Sequence, residues 1–313
     1  MYLRFTRLSW LALLLSVLAW PCLGFAAPKQ VVVLLSDGSA PYQEAARAIR
    51  ESLESELSAG QLTLRMAMAD EPGLAFSPDA LLVTLGAKAA QSMQRADQPM
   101  LAGLLARQFY DKMFGAGTPA QRRLLSGIYL DQPLNRHLQL IRAIQPRANS
   151  VGALLGPSLM TAQTELASAA SSGSLHINSA ALTSSADLFP ALQSLLPNVD
   201  VLLLLPDPWV VNRNSLQNLM LTTYRQRVPV VGYSQNLVDA GALAAVFSTP
   251  QQIGLQIAES IQRMLPGKGW DLPPPSYPKY FTIKTNNNVA RSLEISVPSE
   301  ATLIQRMGVG AGL

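Results

Sequence analysis

The segment Gly232–Asn236 comes closest to a catalytic motif in this sequence. Its order Gly-Tyr-Ser-Gln-Asn half resembles the nucleophile elbow Gly-x-Ser-x-Gly, which exposes a serine between a strand and a helix. Asn236 replaces the second glycine, and hydrolases of this type carry their histidine after the serine. Both histidines of the chain, His137 and His176, precede Ser234. The pattern disfavours a hydrolase, and we predict that the protein is not an enzyme and has no catalytic residues.

Motifs for cofactors and metals are also missing. The triplet Gly267–Gly269 lacks the upstream glycine and the Ser/Thr of a phosphate-binding P-loop, and no helix follows the glycines of residues 308–312. Two histidines and one cysteine are too few for a typical zinc site. His137 lies on the apolar face of a predicted helix and is interpreted as a satisfied core histidine, and His176 is given no role. We predict neither a cofactor nor a metal.

Four loops carry groups that suit the reversible binding of a small molecule. Backbone N–H groups at helix starts bind carboxylates, an aspartate binds an ammonium group, and an aromatic ring covers an apolar body. Each residue has a structural alternative, because an aspartate also caps turns and an aromatic ring also packs in a core. The candidate ligand-binding residues are Asp37, Gly38, Gly86, Ala87, Asp207, Trp209, Tyr233 and Ser234.

A predicted strand precedes each of these loops. The continuous apolar run Val31–Leu35 is typical of a strand that is buried on both faces, and strands are also predicted at Ala80–Leu85, Val201–Leu205 and Val228–Gly232. Helical patterns lie between the strands, which indicates βαβ units and parallel sheets. Because the carboxyl ends of parallel strands meet at one edge of a sheet, we expect the loops to converge there.

The alternating pattern restarts near Leu134, where Leu138, Ile141 and Ile144 continue an apolar helical stripe. Two such runs predict an α/β protein with two doubly wound parallel-sheet lobes joined by a hinge, and a ligand cleft between the lobes. Near the end of the second run, Thr249–Gln252 has the composition of a helix start with a capping box.

The N-terminal segment predicts export. Arg4 and Arg7 precede an apolar run over Leu8–Leu18, and Gly24–Ala26 places small residues where a signal peptidase cleaves. The run is shorter than the ~20 residues that a membrane-spanning helix needs. We therefore expect a cleaved signal peptide over residues 1–26 and a periplasmic location.

Composition restricts the partners. The chain has 24 Lys and Arg against 20 Asp and Glu, and no basic stripe interleaved with aromatic residues, so nucleic acid is not predicted as a partner. The single cysteine, Cys22, lies in the signal segment. A lipid anchor at Cys22 is the alternative to cleavage, but Trp20-Pro21 precedes it where lipoproteins carry small residues. We expect a monomer.

The segment Val228–Leu265 resembles the ABC-transporter substrate-binding family that includes tryptophan- and tyrosine-binding members. That family shows a strand, a short loop with a serine, a Gly-Ala-Leu element and a glycine-containing helix. The corresponding residues here are Val230-Val231, Ser234, Gly241-Ala242-Leu243 and Gly254. Further matches are Leu85-Gly86-Ala87, Leu204-Leu205-Pro206-Asp207 and, in a C-terminal helix, Val289-Ala290-Arg291-Ser292-Leu293.

The resemblance implies the type I periplasmic-binding fold and a chain that crosses between the lobes three times. It implies a periplasmic solute-binding protein of an ABC-type uptake system, which binds a small molecule such as an amino acid and delivers it to a membrane permease. The alternative is a ligand-sensing or scaffold protein that acts on a membrane kinase or receptor without transport. The expected segments are 28–128 plus 247–269 for lobe 1, 129–246 plus 270–286 for lobe 2, and 287–313 for a C-terminal helix and tail.

One departure from the family pattern concerns the ligand site. The family often has an Asp-Pro pair after the fourth strand of the first lobe, but Leu104-Leu105-Ala106-Arg107 stands there in this chain. We therefore expect the first-lobe half of the site to differ, which suits either another ligand or a sensing role.

Overall fold

The computed structural model describes residues 27–307 except residues 116, 161, 173 and 174. The predicted signal peptide with Cys22, and the glycine-rich end of the chain, lie outside the described residues. Within the described part, the strands form two separate sheets. None of the helices in the same part is both long and apolar enough to cross a membrane.

The first sheet consists of five parallel strands: β1 (Lys29–Leu35), β2 (Leu62–Met68), β3 (Leu81–Leu85), β4 (Met100–Leu105) and β5 (Leu125–Tyr129). Their order across the sheet is β2-β1-β3-β4-β5. Both faces of β1 are buried, since Val31 and Val33 pack into one core and Val32 and Leu34 into another. This two-sided burial explains the continuous apolar run in the sequence.

The second sheet consists of six strands: β6 (Ser150–Leu155), β7 (His176–Ala181), β8 (Val201–Leu203), β9 (Val230–Gly232), β10 (Ala244–Phe247) and β11 (Thr282–Thr285). Their order is β11-β10-β9-β8-β6-β7. All neighbours are parallel except β10 and β11, which run antiparallel. β8 ends two residues before the predicted end of its apolar run at Leu205.

Helices follow most strands, as expected for a doubly wound fold. In the first half of the chain they are α1 (Ala40–Ser52), α2 (Glu54–Ser58), α3 (Ala87–Ser92), α4 (Arg107–Phe114) and α5 (Pro119–Arg123). In the second half they are α6 (Leu134–Ile144), α7 (Ala162–Ser172), α8 (Leu188–Leu195), α9 (Leu216–Arg225), α10 (Gln235–Asp239), α11 (Pro250–Met264), α12 (Asn287–Ser292) and α13 (Glu300–Arg306). Short 3-10 helices span Pro157–Leu159, Ser185–Asp187 and Leu196–Asn198.

Helix α11 follows β10 in the chain but packs on the first sheet, against α1. Ile253, Ile257 and Ile261 are fully buried in the core that contains Val31 and Leu53. Gly254 lies at the contact with α1, where an added Cβ would come 2.4 Å from the Ala45 carbonyl oxygen. The close approach of the two helices therefore depends on a glycine at this position. The predicted capping box of Thr249 and Gln252 is present at the start of α11.

Three connections join the two lobes, where lobe 1 denotes the first sheet with its helices and α11, and lobe 2 denotes the second sheet with its helices. The connections run from β5 to α6, from β10 to α11 and from α11 to β11. They are tied together: the Gln132 amide donates to the Ser248 hydroxyl (2.8 Å), and that hydroxyl donates to the Tyr280 carbonyl. Ser276 also pairs with β5, since its carbonyl accepts from the Tyr129 N–H at 2.9 Å. This cluster forms the hinge.

Candidate functional site

A cavity of about 320 Å³ lies between the lobes, next to the hinge. Its wall contains the residues that follow β4 and β5 in lobe 1 and those that follow β6, β8 and β9 in lobe 2. The carboxyl ends of parallel strands point toward one edge, so the edges of both sheets meet at this cavity. Leucines and aromatic rings supply much of the wall: Leu130, Leu134, Leu159, Leu205, Tyr233, Phe247 and Tyr277.

Arg107, the first residue of α4, is the cation in this wall. Its guanidinium donates two hydrogen bonds to the Glu165 carboxylate of α7, from Nη2 to Oε1 at 2.7 Å and from Nη1 to Oε2 at 3.0 Å. Nη1 also donates to the Tyr277 hydroxyl at 2.6 Å. These hydrogen bonds, from Glu165 above all, raise the pKa of Arg107, so the group stays charged. The contact to Glu165 joins lobe 1 to lobe 2 across the cleft.

Asp131 places a carboxylate in the same wall, just after β5. Its Oδ2 accepts a hydrogen bond from the backbone N–H of Arg107 and so fixes the start of α4. Burial raises the pKa of Asp131 above the usual range of an aspartate. A carboxylate held in this way accepts hydrogen bonds from a ligand ammonium, amide or hydroxyl group.

His137 of α6 also borders the cavity. The residue is only 2% exposed, and its Nδ1 has no hydrogen-bond partner among the described residues. Burial, with a smaller contribution from the charge of Arg136, lowers the pKa of His137 to about 4, so the imidazole is neutral at physiological pH. The prediction that His137 lies in the core is confirmed, but the expectation that it is satisfied there is wrong, because its Nδ1 is unpaired in the described structure.

The four candidates predicted in lobe 2 divide into two pairs. Tyr233 and Ser234, which follow β9, line the cavity. Asp207 is 1% exposed and lies outside the wall; its carboxylate accepts from the Ser158 hydroxyl (2.8 Å) and from the Trp209 N–H (2.9 Å). Trp209 packs against the core beneath β8. Asp207 thus fixes the loops after β6 and β8, which corresponds to the structural alternative of an aspartate that caps a turn.

The four candidates predicted in lobe 1 lie outside this cavity wall. Asp37 and Gly38 are exposed after β1, and the Asp37 carboxylate accepts from the Ser39 N–H at 2.8 Å, which lowers the pKa of Asp37. Gly86, at φ 91°, begins α3, and an added Cβ would meet the Tyr42 ring at 2.5 Å. Ala87 is exposed. These residues occupy the ends of β1 and β3, whereas the cavity adjoins β4 and β5.

Four polar residues of the cavity wall were not among the ligand candidates predicted from the sequence: Arg107, Asp131, Glu165 and Tyr277. Arg107 belongs to the segment Leu104–Arg107, which departs from the pattern of the similar family. That departure is the feature of the sequence that indicated a different ligand site in lobe 1. Asp131 follows β5, a strand that the apolar pattern did not predict. Among the described residues, no group of His, Cys, Asp or Glu side chains is arranged to hold a metal ion.

Solved structures with the same architecture define the class of the fold. A ligand-free, open substrate-binding protein with adhesive properties from Clostridium difficile has a TM-score of 0.68 at 18% identity, over 88% of this chain and 97% of that one. An ABC domain in complex with L-Trp from Streptococcus pneumoniae has a TM-score of 0.57 at 17% identity, with the same coverage. A periplasmic ribose ABC transporter protein from Conexibacter woesei has a TM-score of 0.52 at 12% identity, over 87% and 96%. The fold is the type I periplasmic-binding fold.

A comparison with family models is more specific. Residues 118–306 match the family of ABC transporter substrate-binding proteins, so the chain belongs to that family. No curated protein matches the sequence. The suspected family and the predicted fold class are both confirmed.

Proposed function

We propose that the protein is a periplasmic solute-binding protein of an ABC-type uptake system. It binds a small organic molecule, such as an amino acid, in the cavity between its lobes and delivers it to a membrane permease. No catalytic step is part of this function. Family membership and the signal-like N-terminal segment support the proposal.

The observation that carries the proposal is the cavity at the hinge. Its volume of about 320 Å³ falls in the range of small-molecule sites, which are mostly apolar with a few polar groups that orient the ligand. Here the apolar wall includes Leu134 and Leu205, and the polar groups include Arg107, Asp131 and Ser234. Both lobes contribute to the wall, so a bound ligand favours the arrangement in which the lobes face each other.

A thermal-shift screen of amino acids and other small metabolites tests the proposal, because a ligand that binds only the native state raises the unfolding temperature. A hit should be followed by calorimetry on Tyr233→Ala, which removes an aromatic side chain from the cavity wall. The matched control is Tyr224→Ala, since Tyr224 is a half-exposed tyrosine of α9 outside the cavity.

We expect Tyr233→Ala to weaken the hit about tenfold or more, as removal of a buried aromatic contact does, and Tyr224→Ala to leave affinity unchanged. A hit that binds both variants as tightly as the unaltered protein would place the ligand outside this cavity. A broad screen without any hit would contradict the solute-binding function.

A further inference from the structure

We propose that Arg107 binds a carboxylate group of the ligand, and that Glu165 occupies this position as an internal substitute when no ligand is bound. The ligand would then be an organic carboxylate with an apolar body. This inference rests on the proposed function, because it assigns a chemical class to the ligand of the same cavity.

The geometry of the Arg107–Glu165 pair is the first argument. The two N–H groups of one guanidinium edge each meet one oxygen of the carboxylate, at 2.7 and 3.0 Å. This parallel two-point contact is the arrangement in which arginine recognises carboxylates. Both residues and Tyr277 line the cavity, so the place of the Glu165 carboxylate is open to a ligand.

The two partners are held very differently. Arg107 is fixed by Glu165 and by three further groups: its backbone N–H donates to Asp131, Nη1 donates to the Tyr277 hydroxyl, and Nε lies 3.5 Å from Asp111. The Glu165 carboxylate forms hydrogen bonds and an ion pair only with Arg107 among the described residues, and its side chain is 43% exposed. Loss of Glu165 therefore leaves a preorganised guanidinium, whereas the released glutamate returns to water at little cost.

Pairing of the Arg107 guanidinium favours an exchange of one carboxylate for another. Asp111, Asp131 and Glu165 also line the cavity, so the wall repels an anion except where the anion contacts Arg107. A ligand carboxylate that replaces Glu165 preserves the pairing of the guanidinium. An uncharged ligand that displaced Glu165 would leave the partly buried Arg107 without its two-point partner, which is unfavourable. The apolar body of the ligand would contact Leu134, Leu159 and Tyr277.

The competing interpretation is that the pair only holds the lobes together, because Arg107 and Glu165 lie on opposite sides of the cleft. In that case the removal of Glu165 loosens the cleft and creates no affinity for a carboxylate. The removal of Glu165 therefore strengthens the binding of a small anionic probe under the proposal and does not strengthen it under the competing interpretation.

The experiment uses 4-fluorobenzoate as the probe and uncharged 4-fluorobenzamide as its near-isosteric partner, both followed by fluorine NMR titration. The variants are Glu165→Gln, Arg107→Gln and Arg107→Lys, with circular dichroism to verify folding. The matched control is Glu44→Gln, the same substitution at an exposed glutamate of α1 that lies outside the cavity wall.

We expect Glu165→Gln to bind 4-fluorobenzoate at least about threefold more tightly than the unaltered protein, since an exposed ion pair competes only weakly. Adding Arg107→Gln to Glu165→Gln should remove the gain and weaken binding about tenfold or more, with Arg107→Lys in between because it lacks the two-point contact. Binding of 4-fluorobenzamide should change in none of these variants, and Glu44→Gln should behave like the unaltered protein.

Equal affinity of the unaltered protein and Glu165→Gln for 4-fluorobenzoate, or an Arg107→Gln variant that binds it normally, would overturn the proposal. So would the absence of any binding to folded Glu165→Gln. These outcomes differ from failure of the proposed function, which the metabolite screen reports. A screen hit that tolerates Arg107→Gln preserves solute binding and refutes only the carboxylate assignment.

Discussion

Replacing His137 by methionine should reduce the acid sensitivity of protein stability by a calculable amount. The imidazole is 2% exposed, its Nδ1 is unpaired among the described residues, and its pKa is lowered to about 4 by burial. In the unfolded chain the same group has a pKa of about 6.5. Between these two values the unfolded chain binds a proton that the native state does not bind.

The sign of the effect follows from this difference. Acidification favours the state that binds more protons, so His137 destabilises the native state as the pH falls. The loss of unfolding free energy caused by His137 is near zero above about pH 6.5. It reaches about 2 kcal/mol at pH 5 and levels off near 3 kcal/mol below about pH 4. Methionine has a similar volume and no titrating group, so the His137→Met variant lacks this loss.

The assay is urea denaturation at pH 8 and pH 5 at constant ionic strength, followed by tryptophan fluorescence and analysed by linear extrapolation. Between these pH values the unaltered protein should lose about 2 kcal/mol more of its unfolding free energy than His137→Met does. The control is His176→Gln, which removes the other histidine, an exposed residue of β7, and should retain the pH dependence of the unaltered protein. An identical loss in the unaltered protein and His137→Met would refute a buried neutral imidazole.

Three further predictions concern packing, the lobe 2 loops and export. Gly254→Ala should destabilise the protein by about 1–3 kcal/mol in chemical denaturation, because the added Cβ would overlap the Ala45 carbonyl of α1. The control is Gly269→Ala, whose Cβ would have no atom within 4 Å; its unfolding free energy should stay within about 0.5 kcal/mol of that of the unaltered protein. Asp207→Ala should cost about 1–3 kcal/mol in the same assay, since it removes the hydrogen bonds that a buried carboxylate accepts from Ser158 and Trp209; an unchanged midpoint would contradict this role. N-terminal sequencing of the periplasmic fraction should begin at Ala27, and a lipid-modified Cys22 at the N-terminus would disprove this cleavage site.

The fold class could be predicted from the sequence, because the burial of a strand or helix face determines the pattern of apolar residues along a short segment. The run Val31–Leu35 predicted a strand buried on both faces, and β1 is such a strand. The order Thr249-Pro250-Gln251-Gln252 predicted a helix start, and the capping box is present there. In both cases the physical cause acts within a few residues, so the pattern survives in the order of the chain.

Strand β5 shows where local patterns fail. Its sequence Leu-Ser-Gly-Ile-Tyr has Ser126 and Gly127 in the middle, so it forms no apolar run. The segment is a strand because it pairs in parallel with the edge of β4. Gly127 leaves room for the Tyr110 ring, which lies only 2.9 Å from where a Cβ on residue 127 would stand. These partners belong to other elements, and only the tertiary structure shows them. Asp131 lies just beyond the end of β5. It was missed as a site residue because the strand before it was not predicted.

The candidate site shows the same division between local and long-range information. The sequence placed Tyr233 and Ser234 at a strand end, because the valine-rich segment before them predicted β9. It had no means of pairing Arg107 with Glu165, which lie 58 residues apart on different lobes. Apolar periodicity reports which side of an element faces a core, but it carries no information on which elements face each other. The chemistry of this cavity was therefore decided by the docking of the two lobes at the hinge.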